Sequence, residues 1–279
     1  MTPNAEVVHQ YFRGASEVTK KLRFVALFGD LAAATIAVLG VWGFIATKSG
    51  WLPLLTLLIA TIGIGLRTYA SSVRSFALSC RKSSIRAFAL DEDLDPIALT
   101  NLQEQLPPLA LWFAKKLPAS NLEEYYEPTV AVGTGRLCEL YAHSAFYTRR
   151  LARIYGFTVT ASAVLVFVAS FAMLYHLAMD DGITKNVREA VVATICSTIF
   201  VLIFARLVQL AFACLNSVKS MRRIENELLK KPKANALREL VDEYDIERAS
   251  SPDVPTAIYK LRRNYLQRQW HIRRTVFTK

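Results

Sequence analysis

The sequence predicts an all-α membrane protein, with four transmembrane helices arranged as two hairpins and a helical cytoplasmic module. Of the 279 residues, 53% are hydrophobic and only 20% are charged, whereas a soluble domain of this size carries roughly 25% charge. Four apolar segments are long enough to cross roughly 30 Å of hydrocarbon as helices. This hydrophobicity excludes a disordered chain, and the ordinary counts of 11 Gly and 10 Pro exclude a collagenous one.

The four apolar segments fall into two close pairs. Residues 24–46 and 51–69 are joined by the short turn TKSGW, and residues 155–179 and 190–210 flank a polar turn that contains Asp180 and Asp181. Such short connections force neighbouring helices to pair antiparallel. The first apolar stretch is too long, and begins too far from residue 1, for a cleaved signal peptide.

Basic residues predict the orientation of these segments, because Lys and Arg are retained on the cytoplasmic side. Four lie before the first span, eleven lie from Arg67 to Arg153, and fifteen follow Asn216. The two short turns contain only Lys48, Lys185 and Arg188. Both termini and the central segment are therefore expected in the cytoplasm.

This topology divides the chain into five parts. We expect a cytoplasmic N-terminal segment (1–23), a first transmembrane hairpin (24–69), a cytoplasmic helical insert (70–154), a second transmembrane hairpin (155–210) and a cytoplasmic basic tail (211–279). Apolar residues continue at near-helical spacing beyond the second span as far as Pro96, and an amphipathic helix over 136–153 leads directly into the third span. These two extensions are expected to pack together.

No motif in the sequence indicates an enzyme. Gly-rich phosphate loops, a GxSxG nucleophile motif and an HExxH zinc motif do not occur in it. The four cysteines (Cys80, Cys138, Cys196 and Cys214) are widely separated and have no zinc-type spacing with the histidines. We therefore expect no catalytic residues, no metal and no cofactor.

Ionisable and polar residues within the spans are candidates for a membrane or pore element. Asp30 and Arg206 both fall in the inner half of the bilayer, and Gln209 follows closely. Intramembrane charge is costly unless it is paired or hydrated, so an Asp30–Arg206 pair or a wet pore lining is one interpretation. In the alternative, Arg206 extends to the inner headgroups and Asp30 accepts hydrogen bonds within the bundle.

Clusters of basic residues in the cytoplasmic insert are candidates for binding a phosphorylated ligand. The first candidates are Arg149, Arg150 and Arg153, with Lys115 and Lys116 as a second group. Arginine forks match the geometry of phosphate oxygens. The same residues also satisfy the positive-inside rule without any ligand.

The last 22 residues contain seven basic and no acidic side chains, interleaved with aromatic ones. This composition predicts a helix on the anionic inner leaflet or against the central helices, and a nucleic acid or nucleotide contact is the alternative. An apolar stripe is expected at Ile258, Leu261, Tyr265, Ile272 and Val276. The expected membrane-surface residues are Arg262, Arg263, Arg268, Trp270, Arg273 and Arg274.

The order of hairpin, helical insert, hairpin and basic tail resembles the SMODS-associated four-transmembrane effectors, which accompany cyclic-oligonucleotide synthetases in bacterial antiphage defence. The most specific similarity lies in LEEYYEPTVAVGTGRLCELYAHSAFYTRRLARIYG, before the third span, and in the tail segment IYKLRRNYLQRQWHIRR. The chain departs from the family pattern at YAHSA, where the family tends to have polar residues before the basic helix.

The resemblance implies that a cyclic oligonucleotide made on infection activates the cytoplasmic part, and that the membrane part of a homo-oligomer then forms a pore. It implies the inner membrane of a bacterium as the location, with a lipid bilayer as a partner, and we expect no nucleic acid polymer. Two alternatives stay open: a constitutive small channel or transporter, and a membrane scaffold that contacts a cytoplasmic partner through Trp112 and Phe113.

Overall fold

Helices make up the ordered elements of this chain wherever its structure is described. The computed structural model describes residues 3–41, 52–118, 122–179 and 187–278, and no strand occurs in these ranges. The all-α class is therefore confirmed for them. The helices are α1 (Pro3–Val41), α2 (Leu52–Leu90), α3 (Pro96–Glu104), α4 (Pro108–Lys116), α5 (Leu122–Tyr126), α6 (Thr134–Met179), α7 (Val187–Leu229), α8 (Ala234–Ser250) and α9 (Thr256–Thr278).

Prolines and caps set the boundaries of the short helices. The carboxylate of Asp95 accepts a hydrogen bond from the backbone N of Ile97 at 3.1 Å, and Pro96 occupies the first turn of α3. Asp95 is thus the N-cap of α3, and the acidic residues 91–93 before it lie in the connection between α2 and α3. Asp91 follows the last residue of α2 with φ of 53°, and Glu127 follows α5 with φ of 45°, as left-handed residues after a helix commonly do.

The chain forms two compact units, and each is assembled from separate parts of the sequence. The first unit contains Met1–Lys20, Ala70–Tyr155 and Ala213–Lys279. The second contains Lys21–Tyr69 and Gly156–Phe212. The helices α1, α2, α6 and α7 each run without a break from one unit into the other.

Aromatic side chains from α6, α8 and α9 form the core of the first unit. Tyr141 and Tyr244 are both fully buried and meet edge to face with ring centroids 5.2 Å apart. Trp270 of α9 lies edge to face with His143 at 5.0 Å and beside Phe146 at 5.7 Å. Burial of such large rings is the main stabilising contribution to a helical core.

Polar contacts fix the expected pairing of α2 with α6. The guanidinium of Arg81 on α2 donates to the hydroxyl of Ser144 on α6 at 2.5 Å and to that of Tyr244 on α8 at 2.9 Å. The backbone N of Gly133, which directly precedes α6, donates to the carbonyl of Ala89 in the last turn of α2 at 2.9 Å. The prediction that these two helices pack together is confirmed.

Two charged side chains hold connecting loops onto the first unit. Glu139 is buried, and its carboxylate accepts from the backbone N of Thr129 at 2.9 Å and from that of Val130 at 3.1 Å. Arg74 donates to the carbonyls of Arg248 and Ser251 at the end of α8. A buried charge is tolerated when several hydrogen bonds satisfy it, and each loop is fixed as a result.

The N-terminal part of α1 packs closely on α4. A Cβ added at Gly14 would overlap the backbone carbonyl of Ala110 and would lie 2.8 Å from Cβ of Ala114. Gln10 donates to the carbonyls of Ala114 at 2.7 Å and Leu117 at 2.9 Å, which are among the unpaired carbonyls at the C-terminal end of α4. This contact makes the segment preceding the first predicted span an integral part of the first unit.

The second unit exposes large apolar side chains along its helices. Phe157 is 78% exposed, Leu165 71% and Leu57 64%. Within this unit, Phe167 of α6 and Phe204 of α7 lie 5.5 Å apart, and a Cβ at Gly29 of α1 would lie 3.5 Å from Ile59 of α2. Its apolar side chains are therefore only partly used for packing between helices.

One helical stretch among the described residues, Thr134–Val168 of α6, is long and apolar enough to cross a membrane. It begins earlier in α6 than the predicted third span, because α6 is one continuous helix from Thr134 to Met179. Four transmembrane helices are not confirmed, and the other three spans and the five-part division stay predictions. The predicted turns at 47–51 and around Asp180 lie outside the described residues.

Candidate anion-binding site

Three arginines from two helices surround one buried aromatic ring in the first unit. Phe146 of α6 is fully buried. The guanidinium carbons of Arg149, Arg150 and Arg273 lie 5.9, 5.6 and 5.8 Å from the centroid of its ring. Arg149 and Arg150 follow Phe146 by about one turn of α6, and Arg273 is on α9. The negative face of an aromatic ring attracts cations at this distance.

A single buried carboxylate on α7 lies within this group of arginines. Glu225 is fully buried, and its Oε2 lies 2.9 Å from Nε of Arg149. Its Oε1 accepts a hydrogen bond from Nη2 of Arg149 at 3.4 Å and pairs with Nη1 of Arg273. A carboxylate removed from water must be paired in this way. We call Arg149, Arg150, Arg273 and Glu225 the arginine cluster.

Positive charge exceeds negative charge in the arginine cluster. Arg153 and Arg222 also lie near enough to Arg149 to repel it electrostatically. Burial lowers the pKa of Arg273, and repulsion from Arg150 and Arg222 lowers it further. The folded protein therefore holds several guanidinium groups close together at a cost in free energy, and a bound anion would reduce that cost.

The arginine cluster has unused hydrogen-bonding capacity. Within the described residues, the buried Nε of Arg150 has no hydrogen-bond partner, whereas the Nε of Arg149 and the Nη1 of Arg273 pair with Glu225. Oxyanions such as phosphate accept several N–H groups at once. The site is therefore suited to bind a phosphorylated anion.

The structure brings together part of the predicted ligand set with part of the predicted membrane-surface set. Arg149 and Arg150 belong to the cluster, and Arg153 is exposed one turn further along α6. Arg273 faces Glu225, and its neighbour Arg274 donates to the carbonyl of Glu127 at 3.1 Å. Trp270 is only 4% exposed. These three α9 side chains thus contribute to packing inside the first unit.

The other predicted ligand residues lie apart from the cluster. Lys115 and Lys116 are exposed at the C-terminal end of α4, where their positive charges interact favourably with the negative end of the helix dipole. The Nζ of Lys116 lies 3.6 Å from the centroid of the Trp112 ring. A structural role at the end of α4 accounts for both.

The predicted membrane element is only partly described. Arg206 and Gln209 are exposed on α7, and both lie within the apolar second unit. Asp30 is on α1, but its side chain lies outside the described residues. The Asp30–Arg206 pair therefore stays a prediction.

Sequence reasoning missed Glu225 and Phe146. A signal for Glu225 exists in the spacing of Met221, Ile224, Glu225 and Leu228, which share the buried face of α7. An acid at a core position of an otherwise apolar helical face must have a basic partner, but the sequence does not reveal which helix supplies it.

Over the residues that the structure describes, these features define a helical protein with an apolar unit and an arginine-rich cluster that is a candidate anion site. Comparisons of the chain with protein-family models, curated proteins and solved structures find no match. Among the residues that the structure describes, no group of His, Cys, Asp and Glu side chains is arranged to hold a metal ion. The resemblance to the four-transmembrane effectors accordingly stays a prediction.

Proposed function

We propose that this chain is a multi-pass effector of the bacterial inner membrane, activated by a nucleotide second messenger during antiphage defence. The arginine cluster is the observation that carries the proposal. It lies on α6, α7 and α9, and two of these helices continue without interruption into the apolar second unit. Ligand binding and membrane response thus share the same helices. The protein acts as a homo-oligomer that forms a pore or disrupts the bilayer.

The chemistry of the cluster supports a nucleotide with more than one phosphate. Arg149, Arg150 and Arg273 carry three positive charges against the one negative charge of Glu225, which leaves a surplus of two, whereas one phosphodiester group carries a single negative charge. Two phosphodiester groups, as in a cyclic dinucleotide, balance the surplus charge more fully. Glu225 competes with the ligand for the same arginines, so binding would change the contact between α6 and α7.

Exposed apolar surface supports insertion of the second unit into lipid. Soluble proteins rarely expose large contiguous apolar patches, yet exposed large apolar side chains recur on α1, α2, α6 and α7 of this unit, for example Phe24, Leu57, Leu165 and Phe212. Lipid tails would cover these groups at little cost, and the helices would satisfy their own backbone hydrogen bonds. Four spans with both termini in the cytoplasm remain the topology that we propose.

Binding and release measurements on the full-length protein in liposomes test this function. We expect one member of a panel of cyclic di- and trinucleotides to bind and to cause dye release. Arg150→Ala and Arg273→Ala should each weaken binding about 10- to 100-fold, as expected for the loss of a charge-assisted contact. Arg238→Ala removes an exposed arginine from α8 and should leave binding unchanged.

Each other outcome counts against the proposal. Binding that persists in both cluster variants would show that the site is elsewhere, and nucleotide-independent release would indicate a constitutive channel. Absence of release from folded, inserted protein would favour the scaffold alternative, for which the exposed Trp112 on α4 is the contact residue.

A further inference from the structure

Helix α9 has two apolar faces, of which only one is covered. Leu266, Trp270 and Phe277 are buried against the first unit. On the far side of the helix lies a second stripe, which we call the outer stripe: Leu261 (82% exposed), Tyr265 (50%), Ile272 (69%) and Val276 (45%). The spacing of four, seven and four residues places these side chains along one line of an α-helix. Exposure of this apolar surface to water is unfavourable in free energy, so a partner that covers it would be stabilising.

The residues around the outer stripe are basic. Arg268 lies along the stripe between Tyr265 and Ile272, and Lys260 and Arg262 lie beside Leu261; all three are exposed. No acidic residue occurs in α9 from Thr256 to Thr278. An apolar stripe within basic side chains is the composition of helices that bind at the surface of anionic membranes.

Helix α9 packs on the part of α6 that lies shortly before the end of the first unit. The rings of Tyr259 on α9 and Tyr147 on α6 have centroids 6.5 Å apart, and the guanidinium carbon of Arg273 on α9 lies 5.8 Å from the ring centroid of Phe146 on α6. Both α6 residues precede Tyr155, the last α6 residue of the first unit, by fewer than ten positions. Helix α9 is therefore attached to α6 close along the chain to the segment that we propose enters the membrane.

From these observations we infer that the outer stripe of α9 binds the anionic surface of the bilayer, with its apolar side chains among the headgroups and Arg262 and Arg268 on lipid phosphates. The inference rests on the proposed insertion of α6 into a membrane. A second copy of α9 is the poorer occupant, because pairing two such stripes would bring Lys260, Arg262 and Arg268 against their own copies with no acidic partner on the helix.

Lipid-borne quenchers can locate the stripe in the full-length protein. A nitrobenzoxadiazole label is placed on Leu261→Cys in a background that carries Cys196→Ser, because Cys80, Cys138 and Cys214 are buried. The protein is reconstituted in vesicles of phosphatidylethanolamine and phosphatidylglycerol, or of phosphatidylcholine alone, with spin-labelled lipid. Glu239→Cys on the exposed face of α8 is the matched water-facing control, and Leu165→Cys reports insertion of α6.

We expect the label at position 261 to lose fluorescence to the spin-labelled lipid in the anionic vesicles and to keep it in phosphatidylcholine, while position 239 is unaffected in both. Arg262→Glu with Arg268→Glu should abolish the loss at position 261. Added salt should reduce the fluorescence loss at position 261, because salt screens attraction between exposed charges.

The label at position 165, which reports the insertion of α6, separates this inference from the proposed function. A quenched label at 165 with an unquenched label at 261 overturns the inference alone, and so does disulfide cross-linking between two copies through position 261. An unquenched label at 165 overturns both, because α6 is then outside the lipid. Quenching at 261 without nucleotide-dependent dye release supports the inference and counts against the proposed function.

Discussion

His9 is a histidine buried in an environment that disfavours its charged form. Its ring is fully buried on α1, 5.4 Å from that of Phe12 and 5.6 Å from that of Tyr125. Neither ring nitrogen has a hydrogen-bond partner among the described residues. Burial, with smaller contributions from Arg13 and Arg81, lowers its pKa to about 3. The folded protein therefore keeps His9 neutral over the whole physiological range.

Because the pKa of His9 is lowered in the folded protein, we expect the protein to lose stability in acid. A histidine with a pKa near 6.5 when unfolded and about 3 when folded binds its proton more readily in the unfolded state. Stability is therefore fully present above pH 6.5 and falls as the pH drops toward 3, by at most about 1.4 kcal/mol per pH unit for this group. We expect His9→Phe to make the melting temperature less dependent on pH across this window.

Val7→Phe on the exposed side of α1 provides the matched control, since it adds an aromatic ring to the same helix without removing a titratable group and should leave the acid slope as it is in the wild type. Thermal unfolding in detergent at a series of pH values measures both variants. An unchanged slope in His9→Phe would mean that His9 reaches water in the folded protein.

Charge alone singles out candidate residues in the sequence, but it does not identify their partners. Arg149 and Arg150 lie in the arginine cluster, and their role as ligand contacts stays a prediction. Arg273 and Trp270 were predicted for the membrane surface, but they face the core of the first unit. Helix α9 has apolar residues on two faces, and periodicity alone does not say which face packs on the protein.

At the scale of helices, the close contact between α1 and α4 depends on a glycine. Gly14→Ala would place a methyl group against the backbone of Ala110 and Ala114, so the two helices would have to separate. Overpacking of this kind costs about 1–3 kcal/mol. We expect a lower melting temperature and faster proteolysis of the segment that contains α4.

Gly65→Ala is the appropriate control for this variant, because a Cβ at this helical glycine meets nothing within 4 Å. Alanine there should be neutral or stabilising, by up to about 1 kcal/mol, through its higher helix propensity. Equal melting temperatures for the two variants would contradict the close approach of α1 to α4.

Most helices could be predicted from the sequence, but the role of the N-terminal segment could not. Apolar spacing predicts the continuation of α2 beyond the second span and the amphipathic first part of α6 that leads into the third span. Residues 1–23 were predicted only as a cytoplasmic segment, although Ala5, Val8 and Ala15 are buried in the first unit. Small and β-branched residues give a weak periodic signal, and the α4 residues that Gly14 and Gln10 contact lie about a hundred residues away along the chain.

At the scale of the whole molecule, the proposed function requires that the helices shared by the two units stay stiff. Inserting Gly-Gly-Ser after Tyr155 would interrupt α6 where the first unit ends. Glycine lowers helix stability by about 1 kcal/mol per residue, so the insert would form a flexible joint. We expect nucleotide binding to persist and nucleotide-dependent dye release to be lost.

The same insert after Lys231, between α7 and α8, should preserve both binding and release, because no shared helix passes through that connection. Release that survives the insert at Tyr155 would show that α6 does not carry the response. Loss of binding in the same variant would show instead that the arginine cluster needs an intact α6.

The arrangement of the first unit also fixes when its arginine cluster can form during protein synthesis. Arg149 lies in the middle of the chain, whereas Glu225 and Arg273 follow both apolar segments of the second unit. A ribosome therefore delivers all of the apolar helices before it delivers α9. The nascent chain has no complete arginine cluster while those helices are reaching their final environment. Under the proposed function, a nucleotide already in the cell could therefore act only on chains whose translation has passed α9.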